Sequence, residues 1–303
     1  MASKSDSPIA RWIEANLDCG KVTKESFMSS SSWSNAYRYD TDSGQRFFVK
    51  EAKGQDGTMF KGEALGLQAM YDTQALRIPK VYHHGELSSL PEGGGNGSFI
   101  IMEYVEFGGG RADMGELGRC MARMHQAQPV DENARAGKFG FPVDNTIGGT
   151  PQHNGWMDEW VPFFRERRLK PQLKRTNDAR LQQMGKHLCD NLDKFFEGLE
   201  VKPCLLHGDL WSGNLSTVKG GGWAILDPAT YYGHHEAEWG MSWCGGFNGA
   251  FWDGYHEILP AAPGSKDRHS IYTLYHYLNH YNLFGGGYYS SAAGILSELT
   301  NKC

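Results

Sequence analysis

The stretch LLHGDLWSGNL at residues 205–215, followed by AILDPA at 224–229, carries the most information in this chain. Asp209 precedes Asn214 by five residues, and Asp227 follows Asn214 by thirteen. Phosphoryl transfer to a hydroxyl needs a carboxylate at the acceptor oxygen, oxygen ligands for magnesium and a cation on the donor phosphates. A loop of the form H-x-D-x-x-x-x-N with a later strand-end Asp meets the first two needs. Five residues let a loop turn back and aim Asp209 and Asn214 into one cleft, and thirteen more allow a hairpin whose far end carries Asp227 to the same metal. Magnesium favours hard oxygen ligands and keeps several waters, so one Asp and one Asn suffice beside ATP phosphates.

The third need points upstream. Lys50 lies late in the strand-like RFFVKE (46–51), and Glu63 follows thirteen residues later in KGEALGLQ, which has helical spacing. A strand lysine paired to a helix glutamate reaches the α and β phosphates of a nucleotide. FIIMEYVEF (99–107) then ends a strand as a hinge, with backbone groups over Met102, Glu103, Tyr104 and Val105 facing an adenine edge. Each residue alone has an ordinary reading as a turn, a solvated strand face or a surface helix. Order, spacing and expected secondary structure together select the phosphotransfer reading. His207 stays open between a core or scaffolding position and one facing the substrate.

Outward from these motifs the chain divides in two. Ser7-Pro8 opens a helix from Ile9 to about Leu17, and FMSSSSWSN (27–35) reads as a polar loop between strand-like stretches. Strands are expected over Arg46–Glu51, Lys80–Leu87 and Ser98–Val105, with the turn EGGGNG between the last two and a helix over Met59–Tyr71. After Val105, FGGGRADM forms a connector, and Asp113 with Glu116 marks a helix start. Helical periodicity dominates the rest, interrupted by a hairpin of Pro203–Leu206 with Trp223–Leu226. The boundary falls near residues 106–111, giving a β-rich 1–106 and a mostly helical 107–303, with a cleft between them suited to a small molecule.

Composition sets outer limits. The 303 residues suit about two domains, and 30 Lys and Arg against 35 Asp and Glu give a formal charge of −5. That balance argues against a nucleic-acid or acidic-membrane binder, which needs a basic face. No apolar run approaches the ~18 residues of a membrane span, and the N-terminus lacks a secretory pattern. Six scattered cysteines, at 19, 120, 189, 204, 244 and 303, read as reduced thiols. His83–His84 and His234–His235 lack the spacing of a zinc site.

HGDLWSGN, with Trp after the leucine, resembles the fructosamine-3-kinase (ketosamine-3-kinase) family, relatives of aminoglycoside phosphotransferases. Similar phrases run through nearly the whole chain: FVKEA at 48–52, MFKGEALGLQAM at 59–70, FGFPVDNTIGGTPQHNGWMDEW at 139–160, LDPATYYGHHEAEWGMSWCGGF at 226–247 and YHYLNHYNLFGGGY at 275–288. The wording is most like plant, algal or bacterial members. The resemblance implies an α+β, protein-kinase-like bilobal fold, with a small β-rich N-lobe holding one main helix and a larger, mostly helical C-lobe. It implies ATP and Mg²⁺ as cofactors and phosphorylation of the 3-hydroxyl of ketosamines, on protein lysines or free amines, in protein deglycation. By motif position Asp209 is the acceptor-side base, Asn214 and Asp227 hold magnesium, Lys50 and Glu63 clamp phosphates, and Trp211 forms a sugar-facing wall. The expected partners are ketosamine-modified proteins or small ketosamines, with neither nucleic acid nor membrane, for a monomer or homodimer in the cytoplasm or a plastid.

One departure stands out. The family's nucleotide loop is usually glycine-rich and often holds a cysteine near its end, where this chain has SSSSWSN, with Ser32 at the cysteine position. Serines approach phosphates less freely than glycines, although their hydroxyls donate. Two alternatives remain at this level: a kinase for another hydroxyl acceptor, or a nucleotide-binding pseudokinase.

Overall fold

The computed structural model describes residues 7–303 apart from Glu92, Gly110 and Arg111. The start of the EGGGNG turn and part of the 106–111 boundary therefore lie outside the described residues. Helix α1 (Pro8–Asn16) is capped by Ser7, whose hydroxyl accepts from the Ala10 amide at 3.1 Å. Strands β1 (Val22–Ser30), β2 (Asn35–Thr41) and β3 (Arg46–Lys53), helix α2 (Thr58–Asp72), and strands β4 (Val81–Glu86) and β5 (Gly97–Glu103) follow. The five strands form one antiparallel sheet in the order β1-β2-β3-β5-β4.

Strand alternation decides what each face of this sheet does. Phe47 and Val49 join Phe99 and Ile101 under α1, burying a small core with Ile9 and Ile13. Phe48 and Lys50 therefore point the other way, toward α2 and the cleft. The expected polar loop is shorter than its sequence suggests. Phe27–Ser30 extend β1 and pair with β2, leaving only residues 31–34 as the turn. An edge strand with one open face tolerates serines because its ladder uses backbone groups alone.

The second part begins with α3 (Met114–Gln126), where Asp113 accepts from the Gly115 and Glu116 amides. It continues through α4 (Glu132–Arg135), the hairpin β6 (Asn145–Ile147) and β7 (Thr150–Gln152), α5 (Trp160–Phe164), α6 (Lys170–Arg175) and α7 (Ala179–Asp190). Four short strands, β8 (Cys204–Leu206), β9 (Leu215–Thr217), β10 (Trp223–Ile225) and β11 (Tyr231–Gly233), precede α8 (Gly249–Ile258), α9 (Ser265–Phe284) and α10 (Tyr289–Thr300).

The expected hairpin of Pro203–Leu206 with Trp223–Leu226 is not formed. β10 pairs with β9, and β8 pairs with β11. The Gly220–Gly222 turn makes the near neighbour the cheaper partner, because short loops close at lower entropic cost. One apolar core runs from Phe60, Leu67 and Met102 into Phe163, Trp239 and Leu278, so α2 packs on both parts of the chain. Among the described residues no helix is long and apolar enough to cross a membrane.

Candidate active site

Lys50 is brought to the cleft by β3 and meets two carboxylates there. Its ammonium donates to Glu63 Oε1 at 2.8 Å and to Asp227 Oδ1 at 2.5 Å. Burial alone would lower the Lys50 pKa, but the attraction of Asp227 and Glu63 outweighs it and holds the ammonium above the ordinary lysine range. Glu63 is pushed up by burial, with Lys50 opposing.

The loop after β8 supplies the acceptor side. Gly208 has φ +80°, and a Cβ there would stand 2.3 Å from the Ala229 carbonyl, so only glycine allows this approach. The loop amides are held from below by Glu238, which is fully buried and accepts from His207 N–H at 2.7 Å and Gly208 N–H at 2.9 Å. His125 Nε2 lies 3.2 Å from the same carboxylate. Burial pushes Glu238 up, yet the His125 and His207 contacts bring it below the usual glutamate range.

Asp209 sits above this support. Burial pushes its carboxyl up to about 7, Asp227 and Glu238 add to the shift, and the Asn214 amide opposes it. Such a carboxyl is tuned close to neutral pH, as a general base requires. Asn214 commits its amide nitrogen to Asp209 O at 2.9 Å and to Asp227 O at 3.3 Å. That leaves its amide oxygen as the ligand atom. Asp227 has φ 56°, a left-handed conformation unusual outside glycine, right after the β9–β10 hairpin. The hard oxygens of Asn214 and Asp227 fit a magnesium ion that keeps most of its waters.

A cavity of about 230 Å³ contains Lys50, Glu63, Asn214 and Asp227. A second, of about 360 Å³, is lined by Met241, Trp243, Cys244, Asn279 and His280. Asp209, Trp211 and Gly148 line both, so Asp209 stands where the two cavities meet. Among the described residues Asp209 is the sole carboxylate on the wall of the second cavity.

Other expected residues lie differently. Ser32 is in the β1–β2 turn, but its neighbours Ser31, Trp33 and Ser34 form the cavity wall. Met102 and Glu103 end β5, Tyr104 and Val105 follow it, and none of these four expected hinge residues lines the Lys50 cavity. The Glu103 side chain is tied to Arg77. His207 is fully buried, so of the two positions its sequence left open it takes the scaffolding one and does not face the substrate. Its Nδ1 accepts from the Asp209 amide at 3.2 Å, so Nε2 carries the proton and donates to Leu226 O at 2.8 Å. It shapes the loop from within. His234, His235 and Glu236 place ligand atoms within 4.8 Å of one another. Arg268 holds both Glu236 oxygens, at 2.7 and 2.8 Å, and Tyr272 holds His234, so two of the three are already committed elsewhere.

Spacing did not reveal Glu238 or His125. A buried glutamate in HHEAEWGM gives no periodic signal, because its partners are backbone amides thirty residues away.

The sequence model of the fructosamine kinase family matches residues 5–302. The chain belongs to the fructosamine kinase family. Relatives include a chloroplastic protein-ribulosamine 3-kinase of Oryza sativa subsp. indica, 48% identical, which covers 98% of this chain and 85% of the rice protein. A ketosamine-3-kinase of Mus musculus is 32% identical, covering 95% of this chain and 98% of its own. Among solved structures, one assigned as a fructosamine-3-kinase from Thermobifida fusca superposes with a TM-score of 0.80 at 26% identity, over 97% of this chain and 99% of that one. An aminoglycoside phosphotransferase, with a TM-score of 0.60 at 18% identity over 97% and 98% of the two chains, shares the fold. The fructosamine kinase chain thus has the expected α+β, protein-kinase-like architecture.

Proposed function

We propose that this protein is an ATP-dependent kinase that phosphorylates the 3-hydroxyl of ketosamines, acting in protein deglycation. The observation carrying this reading is the meeting of the two cavities at Asp209, with Lys50 bridging Glu63 and Asp227 on one side and an aromatic wall on the other. The family membership and the names of its plant and animal relatives support the acceptor class.

Asp209 takes the proton of the attacking hydroxyl. Lys50, oriented by Glu63, leaves Asp227 to hold the α and β phosphates when nucleotide enters. Asn214 and Asp227 would hold magnesium, which would supply positive charge against the phosphates. Trp211 walls the sugar. A 3-phosphate beside the C2 carbonyl then decomposes and releases the amine. An aminoglycoside carries several cations and needs an acid-lined pocket; a wall whose sole carboxylate among the described residues is Asp209 suits a single ammonium among aromatic rings. Ribulosamines are the preferred substrates on this reading, and the chloroplastic relatives favour a plastid over the cytoplasm.

The test is a comparison of ribulose-lysine, fructose-lysine and an aminoglycoside with Mg-ATP, following ADP release and phosphate on the sugar. The expected order is ribulose-lysine first, then fructose-lysine, with no aminoglycoside turnover. A faster fructosamine reaction overturns the substrate preference. Thermal stabilisation by Mg-ATP without turnover of either ketosamine overturns the kinase reading in favour of a nucleotide-binding scaffold.

A further inference from the structure

The β1–β2 turn carries an indole that the phosphotransfer groups leave unused. Ser31 closes this turn on itself. Its N–H donates to Ser34 O at 2.8 Å, and its hydroxyl accepts from Trp33 N–H at 3.2 Å and Ser34 N–H at 3.0 Å. With the polar groups satisfied locally, Trp33 projects from the turn and remains 37% exposed.

Its ring crosses to the other part of the chain and rests on Gly149. A Cβ built on Gly149 would stand 2.2, 2.4 and 2.9 Å from three ring carbons, so the indole lies against bare backbone. That glycine is in the turn of the β6–β7 hairpin, which is fixed to the segment following Asp227. Asn145 Nδ2 donates to Thr230 O at 2.8 Å, and Gln152 Nε2 donates to Ala229 O at 3.1 Å. The adjacent Gly148 lines both cavities, so the indole sits at the boundary between donor and acceptor sides.

We infer that Trp33 is a positioning residue which, by seating on Gly149, holds the serine-rich loop over this boundary and keeps water from the phosphoryl group. This rests on the kinase reading above. In productive transfer the acceptor hydroxyl oxygen forms the new bond to phosphorus, its proton passes to Asp209, the bond to the β–γ bridging oxygen breaks and ADP leaves. In the competing leak, water supplies that oxygen and its proton, giving ADP and inorganic phosphate. A ring fixed at the boundary suppresses the leak by excluding water, as closing lids do. It also replaces some of the closure that glycines provide elsewhere through direct backbone approach to phosphate.

The experiment uses W33A, W33F and G149A in the full chain. G149A reaches the indole from the opposite side, and its backbone is not in the left-handed region, so the added methyl meets the ring first. Two readouts are taken: ADP released without acceptor against ADP released per ketosamine phosphorylated, and amide hydrogen exchange over residues 27–35 without nucleotide. W33A and G149A should each raise acceptor-free ADP release about tenfold, equivalent to ~1.4 kcal/mol of barrier, and speed exchange in the loop. W33F should restore most of the coupling. Unchanged coupling and unchanged exchange in W33A overturn the inference, and so does faster exchange in W33A with none in G149A. If the unaltered protein phosphorylates no ketosamine, the functional reading fails on its own, while the exchange comparison still decides whether the indole holds the loop.

Discussion

Lys50 and Asp227 lie 2.5 Å apart, although 177 residues separate them in the chain. Their contact, shared with Glu63, ties the strand-rich part to the segment that follows the β9–β10 hairpin. Replacing Lys50 by Ala should lower turnover about 10²-fold, the usual loss when one preorganised donor is removed. The protein without nucleotide should also lose about 2 kcal/mol of stability, less than a fully buried pair because Asp227 is 43% exposed. Urea unfolding and steady-state kinetics check the two effects separately.

Asp209→Asn should reduce kcat about 10²-fold to 10⁴-fold, as expected for a lost general base. In the unaltered enzyme kcat/KM for the acceptor should rise with pH through about 7 as the carboxyl ionises. Stability runs the opposite way. A carboxyl raised from 3.8 to about 7 favours the folded state when protonated; that contribution is complete below 3.8 and lost as pH climbs through 7. Asp209→Asn should therefore raise Tm at pH 8 and leave it nearly unchanged at pH 4. An equal shift at both values would contradict the assigned environment.

Glu238→Gln should destabilise the protein by about 3 kcal/mol, because an amide group would face loop N–H donors with no acceptor for one of them. The native carboxyl titrates below its ordinary 4.5, so its stabilisation is present above that value and lost as pH falls through the lowered one. Thermal scans between pH 3 and 7, an interval set by that lowered titration, should show a flatter acid limb for the variant.

Helices α3 and α8 approach through glycines. A Cβ on Gly118 would stand 2.1 Å from Phe251 O, and one on Gly254 would stand 2.1 Å from Gly115 O. Gly118→Ala should cost about 2–3 kcal/mol through overpacking, read as a lower Tm with ATP affinity retained.

Ser32 leaves the β1–β2 turn without a thiol. Cys19, Cys189 and Cys204 are buried, and Cys120, Cys244 and Cys303 are half-buried. Burial, with Asp209 nearby, pushes the Cys244 thiol up to about 11. Native alkylation should be slow and confined to Cys120, Cys244 and Cys303, and any peroxide-induced dimer must use a cysteine outside this loop. Peptide mapping identifies which one.

The meeting of the residues proposed for phosphotransfer was legible because such chemistry imposes local spacing: five residues from Asp209 to Asn214, thirteen to Asp227, and a strand lysine followed by a helix glutamate. The supports beneath them were not. Glu238 acts on backbone amides that any sequence supplies, and His207 binds a carbonyl, so neither leaves a side-chain pattern to read. The strand pairings of the catalytic segment escaped for a related reason. Three-residue strands carry too little alternation to specify a partner, and β8 found β11 instead of β10. Phe27–Ser30 failed as a loop because edge strands are defined by ladder bonds more than by side chains.

The pairing of β8 with β11 draws the chain into a loop whose neck is closed at residues 204–206 and 231–233. Every acidic and amide group assigned to the reaction's acceptor and metal sides hangs from that neck, between its two ends. The segment should therefore shift or loosen as one body, and damage at the neck should register at the reacting centre without touching any group there. Its exposed glycine tip at 220–222 is correspondingly the place where added residues would disturb the chemistry least.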